Sequence, residues 1–117
     1  MTTRFYAGHL IYADGSGDFI TIHRLALHDD NITFELLTTW DGGDWSLQGH
    51  AERLSGSTFR TSRPLRATAV AAKEVGPMCA LQFVITPSED GGSIQVEGRW
   101  DEDGDTYPFG GELEERE

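Results

Sequence analysis

Aromatic side chains are the residues of this chain best suited to hold a ligand. The 117 residues include three Trp, three Tyr and six Phe. Rings supply apolar contact area, while phenol hydroxyls and indole N–H groups orient a bound molecule. Strand alternation is expected to turn every aromatic residue except Phe5 inward. From these, together with one histidine, we predict the following ligand-binding set: Tyr6, Tyr12, His23, Phe34, Trp40, Trp45, Trp100 and Tyr107. The alternative is that the rings only fill a core.

Histidine could add acid–base chemistry at one position. Alternation over residues 19–27 can place His23 inward together with Phe19, where an imidazole near a tyrosine can act as a general base or orient a ligand. That segment is apolar on both faces, so the opposite orientation stays open. A lone core histidine is more often a hydrogen-bonded structural residue. No catalytic residue is therefore assigned.

One acidic run imitates a calcium-binding loop. Asp101, Asp103 and Asp105 alternate, with Glu112 farther along the chain, as carboxylates do in an EF-hand. Thr106 stands where that loop requires glycine, and the flanking residues read as strands rather than helices. A hairpin turn with solvated carboxylates explains the run more simply, so no metal site and no cofactor is predicted.

Four of the nine basic residues fall within a stretch of 14 positions. This arginine group could contact an anionic group or a partner protein, or it could pair with nearby carboxylates of the same chain. Its members are Arg53, Arg60, Arg63 and Arg66.

The overall charge is strongly negative. Twenty Asp and Glu against nine Lys and Arg give a formal net charge of -11. Such a field repels phosphate backbones and anionic lipids, which argues against binding to nucleic acid or to a membrane surface. A basic protein is the partner that it favours. In a simple meander the acidic loops 14–18, 41–44 and 87–92 are expected to gather at one end.

The single cysteine indicates a reducing compartment. Cys79 allows no intrachain disulfide and no zinc site built from thiolates, and its apolar row predicts a buried, inert thiol. The chain opens directly on strand-like sequence and has no long apolar run. The cytoplasm is the expected location.

Turn-forming residues divide the chain into nine short segments that suit strands. Residues 32–40, 94–101 and 106–113 alternate between apolar and polar positions, as half-buried strands do. The alanine-rich stretch 66–75 could instead form a short helix. The chain thus predicts a single all-β domain over residues 1–117, an antiparallel up-and-down meander of eight or nine strands.

Mid-strand glycines predict that this sheet curves into a barrel. The pattern apolar-x-Gly-x-apolar occurs around Gly8, Gly49, Gly98 and Gly111, with the glycine on the apolar face. Such glycines permit sharp coiling and let a ring lie over the backbone. Closure would pair the first and last strands and remove the sheet edges. The alternative is a β-sandwich with glycines at bulges.

Several of these features resemble a known group of barrels. Gly-x-Trp and Gly-x-Leu strands, Trp40 and Trp45 flanking a hairpin turn, and a closing Tyr-x-Phe-x-Gly-x-Leu strand are similar to the calycins, the lipocalins and avidins. The chain has no amino-terminal Gly-x-Trp lipocalin motif and no set of biotin-contacting residues. The resemblance implies a small barrel that holds a ligand inside, without identifying the ligand.

Three hypotheses of function follow. The leading one is a non-enzymatic binding protein that takes a small apolar or aromatic ligand inside a calycin-like barrel. The second is an acidic interaction factor, such as an inhibitor, immunity or accessory protein, whose loops and outer surface bind a basic partner. The third is an enzyme that uses His23 and a tyrosine. A homodimer would suit a barrel this small.

Overall fold

Alternating apolar and polar residues form nine antiparallel strands in one continuous sheet. A computed structural model describes residues 3–40, 43–71 and 75–116, without the side chains of Trp40, Val75 and Pro77. The strands are β1 (Arg4–Tyr12), β2 (Phe19–Leu27), β3 (Asn31–Trp40), β4 (Gly43–Ser55), β5 (Thr58–Arg60), β6 (Leu65–Ala69), β7 (Val75–Pro87), β8 (Ser93–Glu102) and β9 (Asp105–Arg116).

The sheet closes into a barrel of eight strand positions. β1 pairs with β2 on one side and with β9 on the other. The short strands β5 and β6 share one position, since both lie between β4 and β7. The predicted antiparallel barrel is therefore confirmed, and the sandwich alternative is wrong.

The alanine-rich segment forms a strand rather than a helix. β6 covers residues 65–69 and a turn follows at 70–71, while 72–74 lie outside the described residues. Every element within the described ranges is a strand or a turn, so none of them contains a helix long and apolar enough to cross a membrane.

Gly98 shows how a mid-strand glycine lets the barrel close. A Cβ atom at this position would stand 2.6 Å from Cζ of Phe109 and would also collide with the carbonyl oxygen of Gln82. The Phe109 ring therefore lies directly over the β8 backbone, as the glycine pattern predicts. Gly8 contributes differently, because it adopts a φ of 150° beside a β-bulge in β1.

Packed rings fill the middle of the barrel. Phe83 contacts Phe34 on one side and Phe109 on the other, with ring centroids 5.2 and 5.9 Å apart. All three side chains are buried. An eight-stranded barrel has an interior just wide enough for side chains to fill it, and this one is filled at its centre.

A β-bulge in β2 reverses the expected orientation of its first half. Ile22 pairs with Leu36 and Arg24 pairs with Glu35, which leaves His23 as an extra residue. The inner row consequently runs from Ile20 and Ile22 to Leu25. His23 is exposed and Phe19 is 38% exposed, so the inward placement of both residues is wrong.

The acidic loops do not gather at one end. In a simple meander each strand runs opposite to the one before it, but β5 and β6 run in the same direction. Each later strand therefore runs opposite to the direction that a simple meander would give it. Loop 88–92 therefore lies at the end of the barrel opposite loop 13–18. There the Gly91 carbonyl accepts a hydrogen bond from Arg4, at the start of β1. The predicted rim of three loops is wrong, and residues 41–42 lie outside the described part of the chain.

A substitution at Gly98 is expected to weaken the barrel. Gly98→Ala would force the Phe109 ring off the β8 backbone, and overpacking of this kind costs about 1–3 kcal/mol of unfolding free energy. Gly92→Ala is the matched control, since its Cβ would meet nothing nearer than Asp90 Oδ1 at 3.4 Å. Urea unfolding of both variants checks this. Equal stabilities would show that ring-over-glycine packing does not support the fold.

Candidate functional site

A cavity opens at the end of the barrel that carries loops 13–18 and 103–104. Its volume is about 120 Å³. We call it the end cavity. Within the described part of the chain, four aromatic residues, three carboxylates, two threonines and one alanine line it: Tyr12, Trp45, Trp100, Tyr107, Asp14, Asp18, Glu102, Thr38, Thr39 and Ala67.

Small side chains on β6 leave the space that the end cavity occupies. Ala67 and Ala69 are buried at this end, whereas Leu65 on the same strand lies over Gly49. Larger side chains at the alanine positions would continue the filled core up to the mouth. The cavity therefore arises where the inner row of β6 changes from leucine to alanine.

The aromatic walls come from four different strands. Tyr12 is on β1, Trp45 on β4, Trp100 on β8 and Tyr107 on β9, and the last two are directly paired across the sheet. A Cβ atom on Gly76 would stand 2.7 Å from Cζ3 of Trp45, so the indole lies on the β7 backbone.

Tyr12 forms part of the cavity floor. Its ring packs edge-on against Phe109, with centroids 6.2 Å apart, and its hydroxyl bonds the hydroxyl of Thr38 at 2.8 Å. Burial raises the pKa of Tyr12 from 10.0 to about 12, against the lowering effect of the Thr38 bond. The phenol therefore stays neutral at physiological pH and is held by a hydrogen bond.

Glu102 brings a carboxylate inside the barrel wall. The residue is only 9% exposed, and its Oε1 atom accepts a hydrogen bond of 3.0 Å from Nε1 of Trp100. The indole donor is neutral, so this bond orients the carboxylate without balancing its charge. Buried carboxylates are costly unless they are paired, which makes Glu102 the most informative polar residue of the site.

Two further carboxylates lie at the mouth. Ser16 donates from its backbone N–H to Oδ1 of Asp14 at 2.9 Å, and the hydrogen bonds of Ser16 lower the pKa of Asp14. Thr39 donates to Oδ1 of Asp18 at 3.3 Å. The mouth of the end cavity is consequently acidic.

The structure brings together half of the predicted ligand-binding set. Tyr12, Trp45, Trp100 and Tyr107 line the end cavity. Tyr6 and Phe34 are each 2% exposed within the packed core and do not line it. His23 lies on the outer surface. The side chain of Trp40 lies outside what the structure describes.

The four predicted arginines do not converge on one site. Nε of Arg53 donates to the carbonyl of Asp29 at 2.9 Å, and the Arg53 guanidinium also lies 4.6 Å from the Phe59 ring centroid. Arg66 donates to the carbonyl of Gly76 at 3.4 Å. Arg60 and Arg63 are exposed. Arg53 and Arg66 are thus committed to backbone carbonyls of the chain itself.

The alternating aspartates of the acidic run (Asp101, Asp103 and Asp105) and Cys79 do not line the end cavity. Within the described ranges, His, Cys, Asp and Glu side chains nowhere form a group of three suited to a metal ion. In the acidic run, Asp101 accepts a bond from Thr106 across the hairpin. Cys79 is buried, and burial raises the pKa of its thiol to about 12, so it stays protonated.

The polar half of the end cavity was not predicted, although one signal for it existed. The inner row of β8 runs through Ile94, Val96, Gly98 and Trp100, and continuing it by two positions reaches Glu102. The carboxylates singled out in this run were Asp101, Asp103 and Asp105, and Glu102 lies between the first two. Asp14 and Asp18 line the cavity from the loop between β1 and β2, whose course the strand pattern did not predict.

The chain matches no protein-family model, and no curated protein matches it. Ring faces offer apolar contact, and carboxylates offer acceptors for positive or hydrogen-bond-donating groups.

Ionisation of Tyr12 is expected to make the fold less stable at alkaline pH. The unfolded chain loses this proton near pH 10.0, whereas the folded chain holds it until about 12. The contribution of Tyr12 to the free energy of unfolding is therefore fully present below pH 10.0, and it is lost as the pH rises from 10.0 toward about 12. Urea unfolding across that window should show a shallower decline for Tyr12→Phe than for the wild type.

The informative quantity is the slope of the unfolding free energy against pH. Loss of the Thr38 hydrogen bond lowers the stability of Tyr12→Phe by the same amount at every pH below the window, so it does not change this slope. Cys79 is unchanged in both proteins and cancels from the difference. Parallel curves for the two proteins would contradict the assignment of a buried phenol.

Proposed function

We propose that the protein is a non-enzymatic binding protein that holds a small, mostly apolar ligand in the end cavity. The observation that carries the proposal is an aromatic-lined opening at one end of a barrel whose middle is filled by packed rings. Core rings pack at 5.2 and 5.9 Å in the middle, yet about 120 Å³ stays open at one end between Trp45, Trp100 and Tyr107. Apolar pockets with a few convergent polar groups are typical ligand sites.

The size of the end cavity limits the ligand. An apolar cavity of about 150 Å³ can hold benzene. At about 120 Å³ the end cavity suits a molecule of that order, or one end of a longer molecule that projects through the mouth. Larger ligands such as those that fill a wide barrel are not part of the proposal, because Phe83 and its neighbours occupy that volume.

In this proposal the protein is a calycin-like barrel that binds its ligand at the mouth. The closed antiparallel barrel and the position of the cavity inside it support this reading. The enzyme hypothesis that used His23 receives no support, since that side chain lies outside the barrel. A free, buried thiol at Cys79 is compatible with the proposed cytoplasmic location.

Titration with phenol, a small neutral aromatic probe, tests the proposal. In ¹H–¹⁵N NMR spectra the indole N–H resonances of Trp45 and Trp100 are expected to shift and to saturate as phenol is added. Ala67→Leu should abolish the saturation, because the added side-chain atoms would occupy the cavity. Thr38→Leu narrows the cavity from β3 and serves as a second variant if the first fails to fold.

Ala71→Leu is the matched control, since it makes the same change at an exposed position just after β6. It should bind phenol as the wild type does, and a dispersed spectrum confirms that each variant is folded. Absence of saturable shifts, or equal binding by Ala67→Leu and Ala71→Leu, would refute a ligand site in the end cavity.

A further inference from the structure

The charged side chains that line the end cavity within the described ranges are all negative. Among the residues that the structure describes, the lining contains the three carboxylates Asp14, Asp18 and Glu102 and no Lys, Arg or His. Each of them repels an anionic ligand, and the chain as a whole carries a formal charge of -11. The electrostatics of the site therefore select against anions and favour cations.

Glu102 places negative charge where water is largely excluded. It is nine-tenths buried, and its hydrogen bond from Trp100 comes from a neutral donor. In such surroundings a charge interacts more strongly with a ligand than an exposed carboxylate does, because screening by water is weaker. A cation in the end cavity would recover part of the free energy that burial of this carboxylate costs.

The aromatic walls suit an organic cation better than a bare ion. The faces of Trp and Tyr rings carry negative potential and attract alkylammonium groups, which are weakly hydrated and also gain from apolar contact. Two Trp and two Tyr side chains line this cavity. A metal ion needs several oxygen or nitrogen ligands, and within the described ranges no group of three such acidic, His or Cys residues is present.

We propose that the end cavity binds a small organic cation, an ammonium group that carries apolar substituents, with Glu102 as its counter-ion. Ring faces of Trp45, Trp100 and the tyrosines would enclose the substituents, and Asp14 and Asp18 would attract the cation to the mouth. This inference rests on the proposed function, because it specifies the ligand class of the same cavity.

Two probes of matched shape separate charge from apolar contact. Tetramethylammonium and tert-butanol have the same number of non-hydrogen atoms and a similar branched form, but only the first is charged. We expect tetramethylammonium to bind about tenfold more tightly, as a desolvated cation–π contact with a buried counter-ion would give. Shifts of the Trp45 and Trp100 indole resonances report both affinities.

Glu102→Gln tests the counter-ion without removing the acceptor for the Trp100 indole. The side-chain amide oxygen of glutamine can still accept that hydrogen bond. Affinity for tetramethylammonium should fall about tenfold, while affinity for tert-butanol should stay within a factor of two. Glu97→Gln changes the net charge equally at an exposed position of the same strand and should leave both affinities unchanged.

The outcomes distinguish the two proposals. If neither probe nor phenol binds, the proposed function fails. If tert-butanol binds as tightly as tetramethylammonium, or if Glu97→Gln weakens the cation as much as Glu102→Gln does, the cation site is refuted while a ligand cavity stands. Choline and a short peptide with trimethyl-lysine then show whether the alkylammonium group comes from a free molecule or from the side chain of a partner protein. Tighter binding of either probe supports a site for organic cations.

Discussion

Pairing between β1 and β9 is the interaction on which the other features of this protein depend. It joins the first and last strands, from Phe5 opposite Arg116 to Tyr12 opposite Phe109. Without it the sheet would expose two edges, and the inner row of rings would face water on one side. Closure also requires the Phe109 ring to pass over Gly98, so the backbone of β8 must carry no side chain there.

The same closure explains why the interior is solid in one region and open in another. The core rings contact one another in the middle, as expected of an eight-stranded barrel, whose interior is just wide enough for side chains to fill. Toward the cavity end, β6 presents Ala67 and Ala69, and β8 ends its inner row on Glu102 rather than on an apolar residue. A carboxylate beside small side chains leaves an acidic opening at this end instead of more core.

Much of the fold could be predicted from the sequence, because alternation and mid-strand glycines are local signals with direct physical meanings. What could not be predicted depends on register. A single extra residue at His23 exchanges the two faces of β2, and the shared position of β5 and β6 moves loop 88–92 to the opposite end. The aromatic half of the site followed from the inward rows, whereas Glu102 needed a strand boundary that sequence alone does not fix.

Contact between the rings of Tyr12 and Phe109 tests the central claim most directly, since the two rings lie on the closing strands and Tyr12 also lines the end cavity. Their centroids are 6.2 Å apart. In solution NMR, nuclear Overhauser effects between the two rings, with slow amide exchange along β1 and β9, are the predicted result. Absence of ring contacts together with rapid exchange in either strand would contradict a closed barrel.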